Sequence, residues 1–176
     1  MVEENVTQYL DAKKLAAKRL FGKPLKNLPS NKEVADAVYA MNHLLDSESL
    51  DFQLLEMRQV AIDVMQTLKD FSPRLIGSVS TGRIRESSDI DIHVFVDHIE
   101  YLSIFLDHLG WHYEKTMVTI QQNGKLNDYH HVHIWMDYHI ELSVYPTLEI
   151  RKSTRSSIDG KPIQRLSLSK VKALID

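Results

Sequence analysis

The chain contains no cysteine. A disulfide framework and thiolate metal sites are thereby excluded, and a cytoplasmic setting is expected over a secreted one. Apolar runs long enough to cross a membrane are missing as well, and the opening MVEENVTQYLDAKK is acidic and then basic. Neither a signal peptide nor a spanning helix is expected, so the Asn5-Val6-Thr7 sequon has no chemical meaning. Charge of one sign is not in excess: the net value of −3 gives no global attraction for nucleic acid. The sequence also lacks G-x-x-x-x-G-K, G-x-S-x-G and H-E-x-x-H, which removes P-loop ATPase, serine hydrolase and zincin chemistry. It holds no internal repeat and no low-complexity tract.

What is there begins with helices. The 176 residues suffice for one domain that buries roughly two-thirds of its unfolded surface. The stretch between Asp11 and Glu33 has no acid and carries Lys13, Lys14, Lys18, Arg19, Lys23 and Lys26. Such a run reads first as a solvated helix face and only second as a phosphate-facing patch. A loosely amphipathic helix is expected over roughly residues 4–20, then a connection with Gly22, Pro24 and Pro29. Ser30 and Glu33 form a capping box, and Val34, Val38, Met41 and Leu45 recur at helical spacing up to about Asp46. Phe52, Leu55, Val60, Ala61, Val64, Leu68 and Phe71 trace one stripe of a second helix over about residues 50–70.

After Pro73 the period shortens. Strands are expected at 74–76, 90–96, 113–121, 129–135 and 138–145, with a helix over 99–109 between the second and third. Asn123-Gly124 suits a type I′ hairpin, Asp159-Gly160 marks a turn, and Ser167 or Ser169 can cap a last helix ending near Leu174. Helices first and strands later predict an α+β (mixed α/β) fold. A helical segment, 1–70, is expected to pack on a core formed by 71–176.

The chemistry is concentrated in IGSVSTGRIRESSDIDIHVFV, residues 76–96. Alternate strand residues face opposite sides, so Asp89, Asp91 and His93 share one face and Ile90, Ile92 and Val94 the other. Two carboxylates side by side repel unless a cation lies between them, which makes this face a candidate divalent metal site. The later segment HIELSV has one acid, Glu141, between aliphatics. If its strand neighbours the first, three carboxylates converge, enough for two Mg²⁺ ions of the kind that clamp an in-line phosphoryl displacement. Gly77 ends a strand just before a turn, so backbone N–H groups near Ser78 and Val79, with the Ser78 hydroxyl, can hold terminal phosphates. Glycine is expected at 77 because a Cβ would hold a phosphate off the backbone, and Gly82 can serve the same loop.

Together, GSVSTGRIRESSDIDI resembles the signature of the DNA polymerase β-like nucleotidyltransferase superfamily, in particular its small bacterial members. That signature is Gly-Gly or Gly-Ser, a spacer of roughly ten residues, then Asp-x-Asp between apolar residues. The resemblance covers residues 74–96 and, more loosely, 138–145. It implies a mixed sheet flanked by helices and transfer of a nucleoside monophosphate from a nucleoside triphosphate to a hydroxyl, releasing pyrophosphate. It further implies that Gly77 and Ser78 hold the β,γ-phosphates and that Asp89 and Asp91 bind both Mg²⁺ ions. Glu141 would bind the catalytic ion and help deprotonate the acceptor, at a position where the family often has Asp.

Arg83 and Arg155 are further candidates for the triphosphate, alongside Lys152, Ser156, Ser157 and Lys161. ATP is the default donor, and the acceptor stays open between a small molecule, an RNA end and a protein hydroxyl. The resemblance also leaves an alternative: a nucleotidyltransferase-fold binding module or antitoxin that acts through a HEPN-type toxin partner. The chain can equally be the N-terminal part of a longer enzyme. His130, His131, His133 and His139 could form a transition-metal site, although the spacing matches no zinc motif. His93 and His139, two residues from expected ligands, can orient a carboxylate or touch a phosphate, and read first as satisfied structural histidines.

Overall fold

The computed structural model describes residues 2–45, 47–122, 125–152, 155–156 and 160–175. Three helices come first: α1 (Val2–Phe21), α2 (Asn31–Leu45) and α3 (Ser47–Thr67), followed by a 3-10 turn at Lys69–Phe71. The second part runs β1 (Arg74–Leu75), α4 (Gly77–Thr81), β2 (Ile90–Phe95), α5 (Ile99–His108), β3 (Tyr113–Gln122), β4 (Lys125–Trp135) and β5 (His139–Tyr145). A 3-10 turn at Thr147–Arg151 and α6 (Leu168–Lys172) complete it. Among the described residues no helix is long and apolar enough to cross a membrane.

The fold is α+β, with one mixed sheet of strand order β1-β2-β5-β4-β3 flanked by helices. Only β2 and β5 run parallel; the other neighbours are antiparallel. The two-residue β1 is held on its outer side by Leu166, which exchanges backbone hydrogen bonds with Leu75 at 2.9 and 3.0 Å.

Helix starts follow the local chemistry where a cap exists. At α2 the Ser30 N–H donates to Glu33 Oε2 at 2.7 Å, and the Glu33 N–H donates back to Ser30 Oγ at 3.1 Å. At α6 the expected serine cap is not formed; Ser167 and Ser169 pair their hydroxyls at 3.1 Å instead. The expected Asn123-Gly124 turn, Asp159 and the helix end at Asp46 lie outside the described residues.

The stripe expected along the second long helix needs correcting at its start. Phe52 and Leu55 are exposed, and α3 turns Met57, Ala61, Ile62, Val64, Met65 and Leu68 inward, with Leu50 and Leu54 at the edge. Leu50, Leu54, Met57, Ala61, Val64 and Leu68 keep the three- and four-residue spacing of one helical face, which Phe52 and Leu55 leave. On α2, Met41 and Val38 likewise face outward rather than into a core.

Strand alternation then divides the sheet. Ile90, Ile92, Val94, Ile140, Leu142, Val132 and Ile134 form the apolar face and pack with α3 and with Leu102 and Leu106 of α5. Each such side chain contributes on the order of 1.5–3 kcal/mol by leaving water. The opposite face carries Asp91, His93, Phe95, Glu141, Ser143, Tyr145, Tyr129 and His131, brought level by register. Most of that face is buried too, so its polar groups must find partners inside the protein.

Candidate active site

The parallel pairing of β2 and β5 sets Asp91 directly opposite Glu141. Asp89 stands one residue ahead of β2, and Asp89, Asp91 and Glu141 each offer a carboxylate oxygen within 4.8 Å of the others. Among the described residues this is the group of three or more acid or histidine side chains arranged to hold a metal ion. Asp89 and Asp91 are half-buried and Glu141 is buried.

Asp91 and Glu141 are shifted in opposite directions. Burial, and then the charges of Asp89 and Glu141, push the Asp91 carboxyl up to about 8. Glu141 is also pushed up by burial, yet the hydrogen bond and charge of His131, with the charges of His133 and His139, outweigh this and hold it below the ordinary value. His131 Nδ1 donates to Glu141 Oε1 at 2.6 Å. A divalent cation offsets both the burial and the neighbouring charges that raise the Asp91 pKa, and an all-oxygen donor set suits Mg²⁺. The residues present therefore fit the metal.

Gly77 meets a structural requirement beside the expected one. Its φ of +70° is left-handed, and a Cβ at this position would lie 2.1 Å from Asp91 Oδ2. The bare α-carbon makes room for the Asp91 carboxylate. Asp91 is further fixed by its own carbonyl, which accepts the Ile76 N–H at 3.0 Å. Gly77 opens α4, and Ser80 Oγ and Thr81 Oγ1 donate back to its carbonyl at 2.8 and 3.2 Å. Gly82 closes α4 in the left-handed region, with the Arg83 N–H donating to the Ser78 carbonyl at 3.0 Å.

The histidines divide by what they touch. His93, two residues beyond Asp91, accepts from Arg165 Nε at Nδ1 at 3.0 Å, and burial followed by the charges of Arg165 and His131 pushes its pKa down to about 3. It is a satisfied structural histidine. His139 places Nδ1 3.6 Å from Asp89 Oδ2 and its Nε2 3.2 Å from Nδ1 of His133, whose ring stacks on it at 5.3 Å. Nε2 of His133 meets Thr116 Oγ1 at 3.0 Å. Among the described residues no transition-metal site is assembled at 130–139: His131 turns to Glu141, and His133 and His139 pair with each other.

Arg165 escaped the sequence reading. Its Nη1 donates to the Glu149 and Lys152 carbonyls, both at 2.9 Å, and its guanidinium lies 5.2 Å from the Phe95 ring centre and 5.6 Å from that of Tyr145. Nothing in PIQRLSL marks it, because its partners come from β2, β5 and the turn after β5. The two expected arginines are placed apart from the triad's own contacts. Arg83 pairs with Asp36 of α2 at 2.5 Å and covers Tyr39 at 4.8 Å, while Arg155 Nη1 donates to the Gly160 carbonyl at 2.9 Å. A cavity of about 1040 Å³ between α1, α2 and α4 is lined by Gly77, Ser78, Arg83 and Ser156 among others.

No protein-family model and no curated protein matches the chain. Solved structures do, each at low identity. A cytoplasmic RNA terminal U-transferase matches at TM-score 0.37 and 17% identity, over 67% of this chain and 35% of that one. Cid1 in complex with its short product ApU matches at TM-score 0.38 and 16% identity, over 68% and 38%. The GLD-2/RNP-8 complex matches at TM-score 0.34 and 16% identity, over 54% and 42%. The chain thus spans less than half the length of these neighbours.

Proposed function

We propose that the chain is a nucleotidyltransferase that moves a nucleoside monophosphate from a nucleoside triphosphate, ATP by default, to a hydroxyl. The observation that carries this reading is the convergence of Asp89, Asp91 and Glu141 within 4.8 Å, against a glycine whose missing Cβ is where Asp91 lies. In the reaction the acceptor oxygen bonds to the α-phosphorus, the α–β bridging bond breaks and pyrophosphate leaves.

Asp89, Asp91 and Glu141 would hold Mg²⁺, which supplies positive charge against the attacking and departing oxygens. Glu141, ionised because His131 donates to it, receives the acceptor's proton. Backbone N–H groups at the start of α4 and the Ser78 hydroxyl bind the β,γ-phosphates. Arg83, which lines the same cavity as Ser78, and Arg155, next to the cavity-lining Ser156, are the cationic candidates for the outer phosphates. The acceptor class, the base and a cytoplasmic setting belong to the same proposal. A second reading, a binding module that works through a partner protein, is favoured by the exposed Met41, Leu44, Phe52 and Leu55 on α2 and α3.

Calorimetric titration of each nucleoside triphosphate with Mg²⁺, on the native chain and on Asp89→Asn/Asp91→Asn, tests the first reading. Metal-dependent binding of a nucleotide, abolished in the double variant, is expected. If no nucleotide binds the native chain, the partner-binding reading takes its place.

A further inference from the structure

His131 is one of the most deeply buried polar residues of the chain, at 2% exposure, and is placed at the centre of β4 between β3 and β5. Its register partner on β5 is Ser143, one strand position removed from Glu141 on the same face. From there Nδ1 reaches along the face to Glu141 Oε1 at 2.6 Å, a charge-assisted bond at the short end of the range. Among the described residues the other ring nitrogen, Nε2, is buried without a hydrogen-bond partner. A buried polar atom left unpaired costs about 1–3 kcal/mol, whereas removing the ring would leave the buried Glu141 carboxylate without its donor. The ring's hydrogen bonding is thus directed to the third carboxylate.

The geometry also fixes which group can do the work. Glu141 is on the strand next to Asp91, and its side chain must lean towards β2 for the three oxygens to gather within 4.8 Å. Repulsion from Asp89 and Asp91 pushes it the other way, towards β4. His131 is the group on β4 that grips its second side, so the carboxylate is held between a donor behind and the metal position in front. Asp89 has a longer and indirect support, through His139 at 3.6 Å, His133 and Thr116.

We propose that His131 is a positioning residue for Glu141: by donating Nδ1–H it fixes the rotamer and keeps the oxygen set in the shape that takes Mg²⁺, without itself touching substrate or metal. The inference rests on the nucleotidyltransferase reading of the triad. Side chains in this relation to a metal ligand are worth about 10–100-fold in metal affinity or activity.

The discriminating pair is His131→Asn and His131→Gln. Both are neutral amides, but an asparagine N–H falls near the place of Nδ1 and a glutamine N–H near that of Nε2, so only the first can donate to Glu141. Mg²⁺ is titrated calorimetrically into the native chain and both variants, and melting temperature and steady-state nucleotide kinetics are recorded beside it. Native-like Mg²⁺ affinity in His131→Asn is expected, within about threefold, with a loss of about tenfold or more in His131→Gln. In the kinetics the loss is expected in kcat, with the nucleotide KM little changed. Equal Mg²⁺ affinity in native and Gln variants overturns the proposal. So does an equal loss in both variants, which marks the ring as packing alone. Should either variant fail to fold, His131→Leu takes its place, and native Mg²⁺ affinity there is equally fatal. If the native chain itself takes up no Mg²⁺, it is the triad reading that has failed, and the proposal falls with it.

Discussion

The backbone of Gly77 and the carboxylate of Asp91 occupy one space: a Cβ on residue 77 would stand 2.1 Å from Asp91 Oδ2 and 3.0 Å from its Cγ. Two pieces of the signature separated by the spacer are thus in direct contact, and each fixes the other. Gly77→Ala must adopt a left-handed conformation, at about 1–2 kcal/mol, and must also turn Asp91 away from Glu141. Loss of Mg²⁺-dependent nucleotide binding is expected along with lower stability. A double-mutant cycle separates the two causes. In an Asp91→Ala background the Cγ and Oδ2 clashes are gone, so the same glycine replacement is expected to cost little beyond the backbone strain. Additive penalties in urea unfolding would show that the contact has no energetic meaning.

Protonation of Asp91 couples metal, pH and stability. Its carboxyl is raised in the fold to about 8, chiefly by burial, against an ordinary value of 3.8. Between those values the folded chain binds a proton that the unfolded chain has released, so this group's contribution falls as pH rises from about 4 and is fully lost above about 8. Mg²⁺ opposes the trend, because it binds the ionised form and expels the proton. The rise in melting temperature on adding Mg²⁺ is expected to be larger at pH 8.5 than at pH 6. Asp91→Asn is expected to abolish that difference, and an equal rise at both values in the native chain contradicts the scheme.

Arg165 ties three structural pieces together with one guanidinium. It donates to His93 of β2 and to the carbonyls of Glu149 and Lys152 in and after the turn that follows β5. Arg165→Met leaves the part-buried His93 Nδ1 and Glu149 carbonyl without this donor and is expected to lower unfolding free energy by about 2–4 kcal/mol. Arg165→Lys restores the charge but not the fork, so it is expected to recover less than about half of the loss. His93 adds a pH signature. Its pKa is depressed to about 3 in the fold by burial and the charges of Arg165 and His131. The unfolded chain therefore binds the extra proton first, and this group's stability, present above about 6.5, is lost as pH falls towards 3. Urea titrations of His93→Gln are expected to show a flatter acid limb than the native chain.

What could be read in advance followed from local rules. The alternation of Asp89 and Asp91 with isoleucine predicted a strand with one charged face, and that strand forms at Ile90–Phe95. Ser30 and Glu33 predicted a helix start, and the reciprocal cap is made. Glu141 was found because one acid between aliphatics repeats the pattern of the first strand, although its adjacency to Asp91 depends on β5 returning parallel to β2. His131 and Arg165 were not assigned their roles because each acts across strands. His131 is ten positions from Glu141 and Arg165 is 72 from His93, so neither contact leaves a mark on local periodicity. A second reason for Gly77 went unread on the same ground: the atom that excludes a Cβ there belongs to another strand.

The misjudged face of α3 gives a test of how that helix enters the core. Met57 and Met65 are fully buried, whereas Phe52 is 63% exposed and Leu55 49% exposed. The expected stripe began at Phe52, but the inward spacing set by Ala61, Val64 and Leu68 continues back through Met57 and Leu54 to Leu50. Met57→Ala removes a side chain enclosed by the sheet's apolar face and is expected to cost about 2–5 kcal/mol. Phe52→Ser changes a solvent-facing position and is expected to stay within about 0.5 kcal/mol of the native chain. A shift in the urea midpoint for Met57→Ala with none for Phe52→Ser supports the observed helix face. A large penalty at Phe52 instead means that the exposed start of α3 is covered in solution, and gel filtration of the same samples then shows whether a second copy provides that cover.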